Sequence, residues 1–397
     1  MKGIYFDNAA TTAVRPAALE AMLPYFKELF QNPSSLYSES DDARKAMADA
    51  RATCAEAIGA KPEEIFFTGG GSEGDNWVIK GTAWTKGKAR PTVITSAIEH
   101  HAVLHSVEFL KKQGFNTIFL PCTEDGTITP EILEQHITDD TCLVSIMFAN
   151  NEVGTIQPIK ELAEVAHKHG ALFHTDAVQA VGHVALDVKD LGVDFLTAAG
   201  HKFGGPKGVG FAYIRKGLRI ENLIHGGGQE RYRRAGTENV AGIVGMAAAL
   251  KEAIAEMPEE NARLQGLRDQ LIDGLLSAIP HSRLNGSRTH RLPSNVNLSF
   301  VGIEGETMLF DLEDNGFCCS TGSACASASL DPSHVLMAMG LAHEWAHGSV
   351  RLTLGPSTTQ ADVDSALKIL PPIVARRREM SPLWHSYLAE QKEGNRS

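Results

Sequence analysis

The sequence lacks the features of a membrane or exported protein and has no excess of positive charge. Among its 397 residues, no apolar run approaches the roughly 20 residues of a membrane-spanning helix. The first 12 residues contain one lysine and then an acid, without the apolar core of a signal peptide. Acids outnumber lysines and arginines 48 to 37, so the net charge of −11 should repel nucleic acid and anionic membranes. We therefore expect a cytoplasmic protein with no nucleic-acid and no membrane partner.

Cysteine is also sparse, and its spacing excludes two common roles. The six cysteines include no Cys-x-x-Cys pair and no zinc-ligand spacing. In a cytoplasmic chain of this length, thiols are expected rather than structural disulfides. Most should be small buried apolar side chains. Cys325 differs, because the small polar residues of 320–330 around it predict an exposed loop.

What is present is the pattern of an α/β protein. The chain is 43% hydrophobic and 21% charged, which is typical of globular proteins, and it is long enough for two cores. Short apolar runs alternate with helical patterns, which predicts a mostly parallel sheet with right-handed crossovers. The main predicted strands are 65–67, 92–96, 143–149, 171–175, 193–199 and 211–214, and the main predicted helices are 16–30, 41–58, 77–85 and 158–169.

The second half of the chain predicts a smaller α+β domain. Residues 239–278 read as helix-rich and lead into it, and the last dozen residues read as a loose polar tail. We expect a large domain of residues 15–255 and a small domain made of residues 1–14 and 256–397. The small domain's predicted strands are 296–300 and 316–320, and its helices begin at 306 and span 361–377.

Two predicted strands end in residues that carry chemistry. The run 171–175 ends at Asp176, and the run 193–199 leads to His201, Lys202 and a glycine-rich turn. Ligands in open α/β sheets lie at the carboxyl ends of parallel strands. An acid for a pyridine nitrogen and a lysine for an imine are what pyridoxal phosphate (PLP) requires of a protein. The alternatives are a solvated surface lysine and an aspartate that caps a helix over 177–181.

Other residues complete this interpretation. The turn 68–76 follows a strand and precedes a helix, so its N–H groups predict an anion site for a phosphate, although glycines also serve simple tight turns. Ser72 and His201 would add donors to it. His100, at a strand end, could cover the cofactor ring, or could be a hydrogen-bonded loop histidine. Gln179 and Asn151 could tune the ring's phenolic oxygen.

Several motifs together resemble the cysteine desulfurases of the NifS/IscS type, in the class-V aminotransferase group of PLP enzymes. They occur in the same order over nearly the whole chain. The resemblance implies PLP fold type I, the aspartate-aminotransferase fold, with a mainly parallel seven-stranded sheet in the large domain and a smaller α+β domain. The motifs are Phe6-Asp7-Asn8-Ala9-Ala10-Thr11-Thr12, Asn32-Pro33-Ser34-Ser35, Ala149-Asn150-Asn151-Glu152-Val153-Gly154-Thr155, His174-Thr175-Asp176-Ala177-Val178-Gln179-Ala180, His201-Lys202 and Gly236-Thr237-Glu238-Asn239.

The resemblance also implies a role for each candidate residue. Lys202 forms the imine with PLP, and Thr237 reaches the phosphate of a neighbouring subunit, which implies a homodimer. Arg351 binds the carboxylate of the substrate, L-cysteine. The remaining assignments are His100 on the ring face, Asp176 at the pyridine nitrogen, Gln179 at the phenolic oxygen, Asn151 beside ring and substrate, and Gly71, Ser72 and His201 at the phosphate.

The loop around Cys325, about 318–332, is similar to that of the long-loop (group I) desulfurases. There Cys325 takes the sulfur of L-cysteine as a persulfide, L-alanine leaves, and the sulfur passes to an acceptor or iron–sulfur scaffold protein. Transient ligation of an iron–sulfur cluster by Cys325 is a further implication. Three departures from the family stand out: Ala199 replaces a serine that donates to the phosphate, Cys318-Cys319 replaces a usually small apolar pair, and Pro356 replaces an arginine.

Two other functions stay open on the sequence. A different class-V activity, such as an aminotransferase or selenocysteine lyase, would not need a mobile thiol. A sulfur carrier or scaffold without catalysis would not need Lys202, Asp176 and His100.

Overall fold

The computed structural model of the chain describes residues 3–322 and 332–394. The strands of the described part are β1 (Ile4–Tyr5), β2 (Ile65–Thr68), β3 (Thr92–Ser96), β4 (Asn116–Leu120), β5 (Thr141–Ser145), β6 (Leu172–Asp176), β7 (Phe195–Ala199), β8 (Gly210–Ile214), β9 (Ser282–Leu284), β10 (Asn295–Phe300), β11 (Phe317–Cys318) and β12 (Ser349–Thr353).

Its helices cover the faces of the sheets and the chain ends. They are α1 (Pro16–Met22), α2 (Pro24–Lys27), α3 (Asp41–Ala57), α4 (Gly71–Lys86), α5 (His101–Lys112), α6 (Pro130–His136), α7 (Ile159–Lys168), α8 (Val188–Leu191), α9 (Gln229–Tyr232), α10 (Val240–Ala278), α11 (Gly305–Asp314), α12 (His334–Ala338), α13 (His343–His347), α14 (Gln360–Glu379) and α15 (Pro382–Gly394).

A seven-stranded sheet forms the larger part of the fold. Its strands lie in the order β2-β8-β7-β6-β5-β3-β4. All neighbours are parallel except β8, which is antiparallel to both β2 and β7. Strands β3, β5, β7 and β8 are buried along their whole length, because helices cover both faces. The predicted fold class is confirmed.

A second, smaller group of strands belongs to the other core. β10 lies between β12 and β9 in an antiparallel sheet, and β1 pairs in parallel with β11. Phe6, Leu271, Phe300 and Phe317 belong to the apolar cluster beneath them. The first residues of the chain therefore join the sequence-distant second core.

Helix α10 connects the two cores. It is one helix of 39 residues, although Pro258 lies inside it. Met246 and Leu250 pack in the core of the large sheet, while Leu271 and Leu275 pack in the smaller core. The domain boundary predicted at residue 255 falls within this helix.

Three predictions about the chain's helices are wrong in detail. The helix predicted for 16–30 is divided into α1 and α2 at Pro24, which cannot donate a backbone hydrogen bond. Its apolar face is exposed, with Leu19 52% and Phe26 61% accessible. The helix predicted to start at Trp77 starts at Gly71. The tail predicted to be loose contains α15.

Among the described residues, no helix combines the length and the apolar character needed to cross a membrane.

Candidate active site

The carboxyl ends of β6 and β7 bring the predicted acid and lysine to one edge of the large sheet. The two strands are parallel neighbours, and Asp176 lies opposite Thr197 in their register. Beyond β7 the chain forms one short turn of 3₁₀ helix, Gly200–Lys202. Lys202 therefore follows the strand end directly, on the side of the sheet where open α/β proteins bind ligands.

A cavity of about 190 Å³ lies at this edge. It is lined by residues at the edge of the large sheet, by Arg351 of β12 and by Ala9 and Ala10 from the start of the chain. Nine predicted site residues line it, namely Gly71, Ser72, His100, Asn151, Asp176, Gln179, His201, Lys202 and Arg351.

The amine of Lys202 contacts the N-terminal segment. Its Nζ donates to the backbone oxygens of Ala9 at 2.5 Å and Ala10 at 2.9 Å. Gln179 Nε2 donates to the same Ala9 oxygen at 3.1 Å. Residues 9 and 10 thus form one wall of the cavity, opposite the strand ends.

Two buried carboxyl groups lie side by side in the cavity wall. Asp176 Oδ1 accepts a hydrogen bond from the N–H of Val178 at 2.9 Å. Burial raises the pKa of Asp176 to about 6. Burial first, and then the charge of Asp176, raise the pKa of Asp75 well above its ordinary value. Asp75 accepts from Thr197 Oγ1 at 2.5 Å. Such a pair favours a positive charge at this point in the cavity.

His100 precedes α5 and caps it. Its Nδ1 accepts a hydrogen bond from the N–H of Ala102 at 3.1 Å. Burial, followed by the charge of Lys202, lowers the pKa of His100 to about 4. The ring is therefore neutral at pH 7, with its orientation fixed by the cap, which suits a planar group that covers another ring.

The part of the cavity lined by Gly71, Ser72 and His201 is suited to an anion. Helix α4 begins at Gly71, so its unpaired N–H groups and positive dipole end lie there. Gly210 allows β8 to pass close by, since a Cβ on it would lie 2.9 Å from the Cα of Gly70. His201 adds an imidazole, whose Nδ1 is 3.1 Å from Thr11 Oγ1.

Arg351 extends from β12 into the cavity wall and is 1% exposed. Its Nη2 donates to Asp7 Oδ1 at 2.7 Å, and its Nη1 donates to the backbone oxygen of Asn151 at 3.0 Å. Its buried Nε has no hydrogen-bond partner among the described residues. At least the Nε donor of this buried guanidinium is thus left for a ligand oxygen.

The sequence matches the family model described as Aminotransferase class-V over residues 4–366. The chain belongs to the class-V aminotransferase family. It is 56% identical to the cysteine desulfurase IscS of Clostridium botulinum (strain Hall), over 99% of this chain and 99% of the relative. It is 44% identical to the cysteine desulfurase NifS of Azotobacter vinelandii, over 97% of this chain and 96% of the relative.

A solved structure agrees with this membership. A NifS-like protein superposes with a TM-score of 0.88 at 39% identity, covering 94% of this chain and 99% of that one. The resemblance to enzymes of the NifS/IscS type, stated from the motifs, is confirmed. With it, PLP fold type I and an enzymatic activity are confirmed for this member of the class-V aminotransferase family.

Two predicted site residues do not line the cavity in the part of the chain that the structure describes. Thr237 is on an exposed segment and does not line the cavity of its own chain. Cys325 lies outside the described residues. Before it in the chain, Ser320 exchanges two backbone hydrogen bonds with Arg351. After it, Ser333 Oγ donates to the carboxylate of Glu152. The described residues Ser320 and Ser333 therefore lie next to cavity residues or their chain neighbours.

Sequence reasoning missed three contributors. Asp75 lies four residues after Gly71 on α4, so the two residues are one turn apart on the same face of the helix. A helix predicted to start at Gly71 instead of Trp77 would have placed Asp75 beside the anion site. Ala9 and Ala10 lie in one of the motifs, but they act through their backbone oxygens, which their side chains do not signal. Their contact with Lys202 spans about 190 residues of sequence, which no local pattern reveals.

Proposed function

We propose that the cavity holds pyridoxal 5'-phosphate and that this enzyme, a cysteine desulfurase like its relatives, transfers the sulfur of L-cysteine to Cys325. L-alanine is the second product. The sulfur then passes to an acceptor or scaffold protein, for iron–sulfur cluster assembly or other sulfur trafficking. The observation that carries the proposal is the convergence of nine predicted site residues on one cavity.

The residues of the cavity fit the cofactor chemically. Lys202 offers a primary amine for covalent attachment. Asp176 offers a buried carboxylate, whose raised pKa a cationic ring nitrogen would relieve. The neutral ring of His100 suits stacking, and the start of α4 suits the phosphate, together with Ser72 and His201. When bound, PLP withdraws electrons from the α-carbon of an amino acid and weakens its C–H bond.

The chain's own groups then act on the substrate. Arg351 binds the α-carboxylate and Asn151 lies beside it, which orients the α-carbon. The Lys202 amine takes the proton from the α-carbon, and His100 Nε2 can hold a proton near the reacting atoms. Burial of the cavity excludes water from these steps.

Cys325 is proposed as the sulfur acceptor. Its thiolate attacks the sulfur atom of the substrate, and a new S–S bond forms as the substrate's C–S bond breaks. The bonding electrons stay on the carbon, which takes up a proton, so alanine leaves. The enzyme keeps a Cys325 persulfide. Transient ligation of an iron–sulfur cluster by Cys325 stays a prediction.

We further propose that the enzyme is a homodimer in which Thr237 completes the partner's phosphate site. Thr237 is exposed and lies outside its own cavity. The apolar face of α1 and α2 supports the proposal, since Leu19, Leu23 and Phe26 are all more than half exposed in the single chain. The domain boundaries 15–255 and 1–14 with 256–397, and the cytoplasmic location, stay predictions from the sequence.

Product analysis separates this function from other class-V activities. With L-cysteine and dithiothreitol, the enzyme should release alanine and sulfide in equal amounts. An aminotransferase would instead form a keto acid and consume an amino-group acceptor, and a selenocysteine lyase would act on L-selenocysteine but not on L-cysteine. Keto acid as the main product would overturn the proposal.

A further inference from the structure

Arg351 is held by an ion pair that the proposed reaction does not use. Its guanidinium donates to Asp7 Oδ1 at 2.7 Å, with the two side chains 1% and 16% exposed. Asp7 comes from the first residues of the chain, 344 positions away. The short β1–β11 pairing and the bridge between Asp7 and Thr353 fix it beside β12.

Asp7 is itself held in place on two sides. Its Oδ2 is 3.3 Å from the donating Ser320 Oγ. Its backbone oxygen accepts from the N–H of Ala10 at 3.0 Å, within the turn that reaches Lys202. The carboxylate is therefore a fixed element of the wall and not a freely rotating surface acid.

These contacts determine what Arg351 can offer. Asp7 occupies Nη2 and the Asn151 backbone oxygen occupies Nη1, which fixes the plane of the guanidinium. Nε remains as a buried donor without a partner among the described residues. Without Asp7, the backbone oxygen of Asn151 would be the one acceptor left to the Arg351 guanidinium among the described residues. A buried charge that lacks its partner is costly and tends to move.

We propose that Asp7 is a positioning residue that holds Arg351 as the receptor for the α-carboxylate of the amino-acid substrate, and so favours substrates that carry that group. The inference rests on the proposed function, in which Arg351 binds this carboxylate. Asp7 does not touch the reacting atoms. Its effect should therefore appear in the binding of carboxylate ligands and not in the binding of amines that lack one.

The test compares two ligands on the PLP-loaded full-length enzyme. Binding of L-alanine and of L-alaninol, which lacks the carboxylate, is followed by the absorption spectrum of the bound cofactor. In Asp7→Asn the Kd for L-alanine should rise at least about tenfold, while that for L-alaninol stays within about twofold of the parent. Asp7→Glu should recover part of the loss, and Asp139→Asn, at a side chain 95% exposed, should match the parent.

The binding data for the two variants separate the role of Arg351 from the role of Asp7. Arg351→Gln should show the same selective loss, and Asp7→Asn should add little to it. If Arg351→Gln loses no selectivity, the proposed role of Arg351 is wrong and this inference falls with it. If Arg351→Gln loses selectivity while Asp7→Asn binds L-alanine unchanged or more tightly, only the role of Asp7 is refuted. Should Asp7→Asn not hold the cofactor, Asp7→Ser, which also removes the carboxylate, carries the comparison, and parental selectivity in that variant refutes the role.

Discussion

The Nζ atom of Lys202 lies 2.5 Å from the backbone oxygen of Ala9. One atom belongs to the turn after a central strand, and the other belongs to the first ten residues of the chain. The N-terminal segment also pairs with β11 and β12 of the smaller core. The amine that we propose to carry the cofactor is therefore placed where both cores meet.

The first prediction concerns the covalent attachment of the cofactor. Lys202→Ala should bind PLP without a bond to the protein. After reduction with borohydride, mass spectrometry should find the cofactor on the parent's peptide containing Lys202 and not on the variant. Lys207→Ala, an exposed lysine five residues away, is the matched control and should behave as the parent. Cofactor covalently attached to the Lys202→Ala variant would show that another lysine forms the bond with PLP.

The second prediction concerns the anion end of the cavity. Ala199 lines the cavity together with Ser72 and His201, at the position where the family resemblance implies a serine. Ala199→Ser should add one hydrogen bond to the phosphate. Because a hydrogen bond to a charged group contributes about 1.5–3 kcal/mol, the Kd for PLP should be at least about tenfold lower in the variant than in the parent. Ser72→Ala should shift the Kd in the opposite direction. An unchanged Kd in Ala199→Ser would show that the hydroxyl cannot reach the phosphate.

The third prediction separates two roles of His100. His100→Phe keeps a planar ring over the cofactor, so its affinity for PLP should stay near the parent's. Turnover should fall by roughly a hundredfold or more, because the acid–base group is lost. His105→Phe, at an exposed histidine on the same helix, is the control. Parental turnover in His100→Phe would restrict His100 to stacking.

The fourth prediction concerns pH. Burial raises the pKa of Asp176 to about 6 in the cofactor-free protein, above the ordinary value of 3.8. Between about pH 4 and pH 6 the unfolded chain releases this proton more readily than the folded chain, so the contribution to stability is present at low pH and is lost as pH rises. Asp176→Asn removes this dependence. The Tm difference between Asp176→Asn and the parent, measured without cofactor, should therefore increase from pH 4 to pH 6. The Tm difference between Asp139→Asn and the parent should not change over this range. A pH-independent difference would contradict the raised pKa.

The sequence predicted the parts of the site that depend on local pattern. Asp176 and Lys202 follow buried apolar runs, and parallel strands place their ends together. The motif at 68–76 predicted an anion site, which corresponds to the start of α4. Each of these inferences needs only a few neighbouring residues.

The remaining parts depend on contacts that no local pattern encodes. Asp7 meets Arg351 across 344 positions of sequence. Leu19, Leu23 and Phe26 recur at helical spacing within residues 16–30, but such spacing does not say whether a chain buries that face itself. In this chain Leu19 and Phe26 stay exposed.

The most direct test of the central claim is the fate of sulfur in Cys325→Ser. With L-cysteine, the parent should form one persulfide on Cys325, detected by mass spectrometry, and should release sulfide when dithiothreitol is added. Cys325→Ser should keep the cofactor's absorption and lose both signals, while Cys318→Ser, at an exposed thiol, should keep both. Sulfide release by Cys325→Ser at the parent's rate would contradict the account.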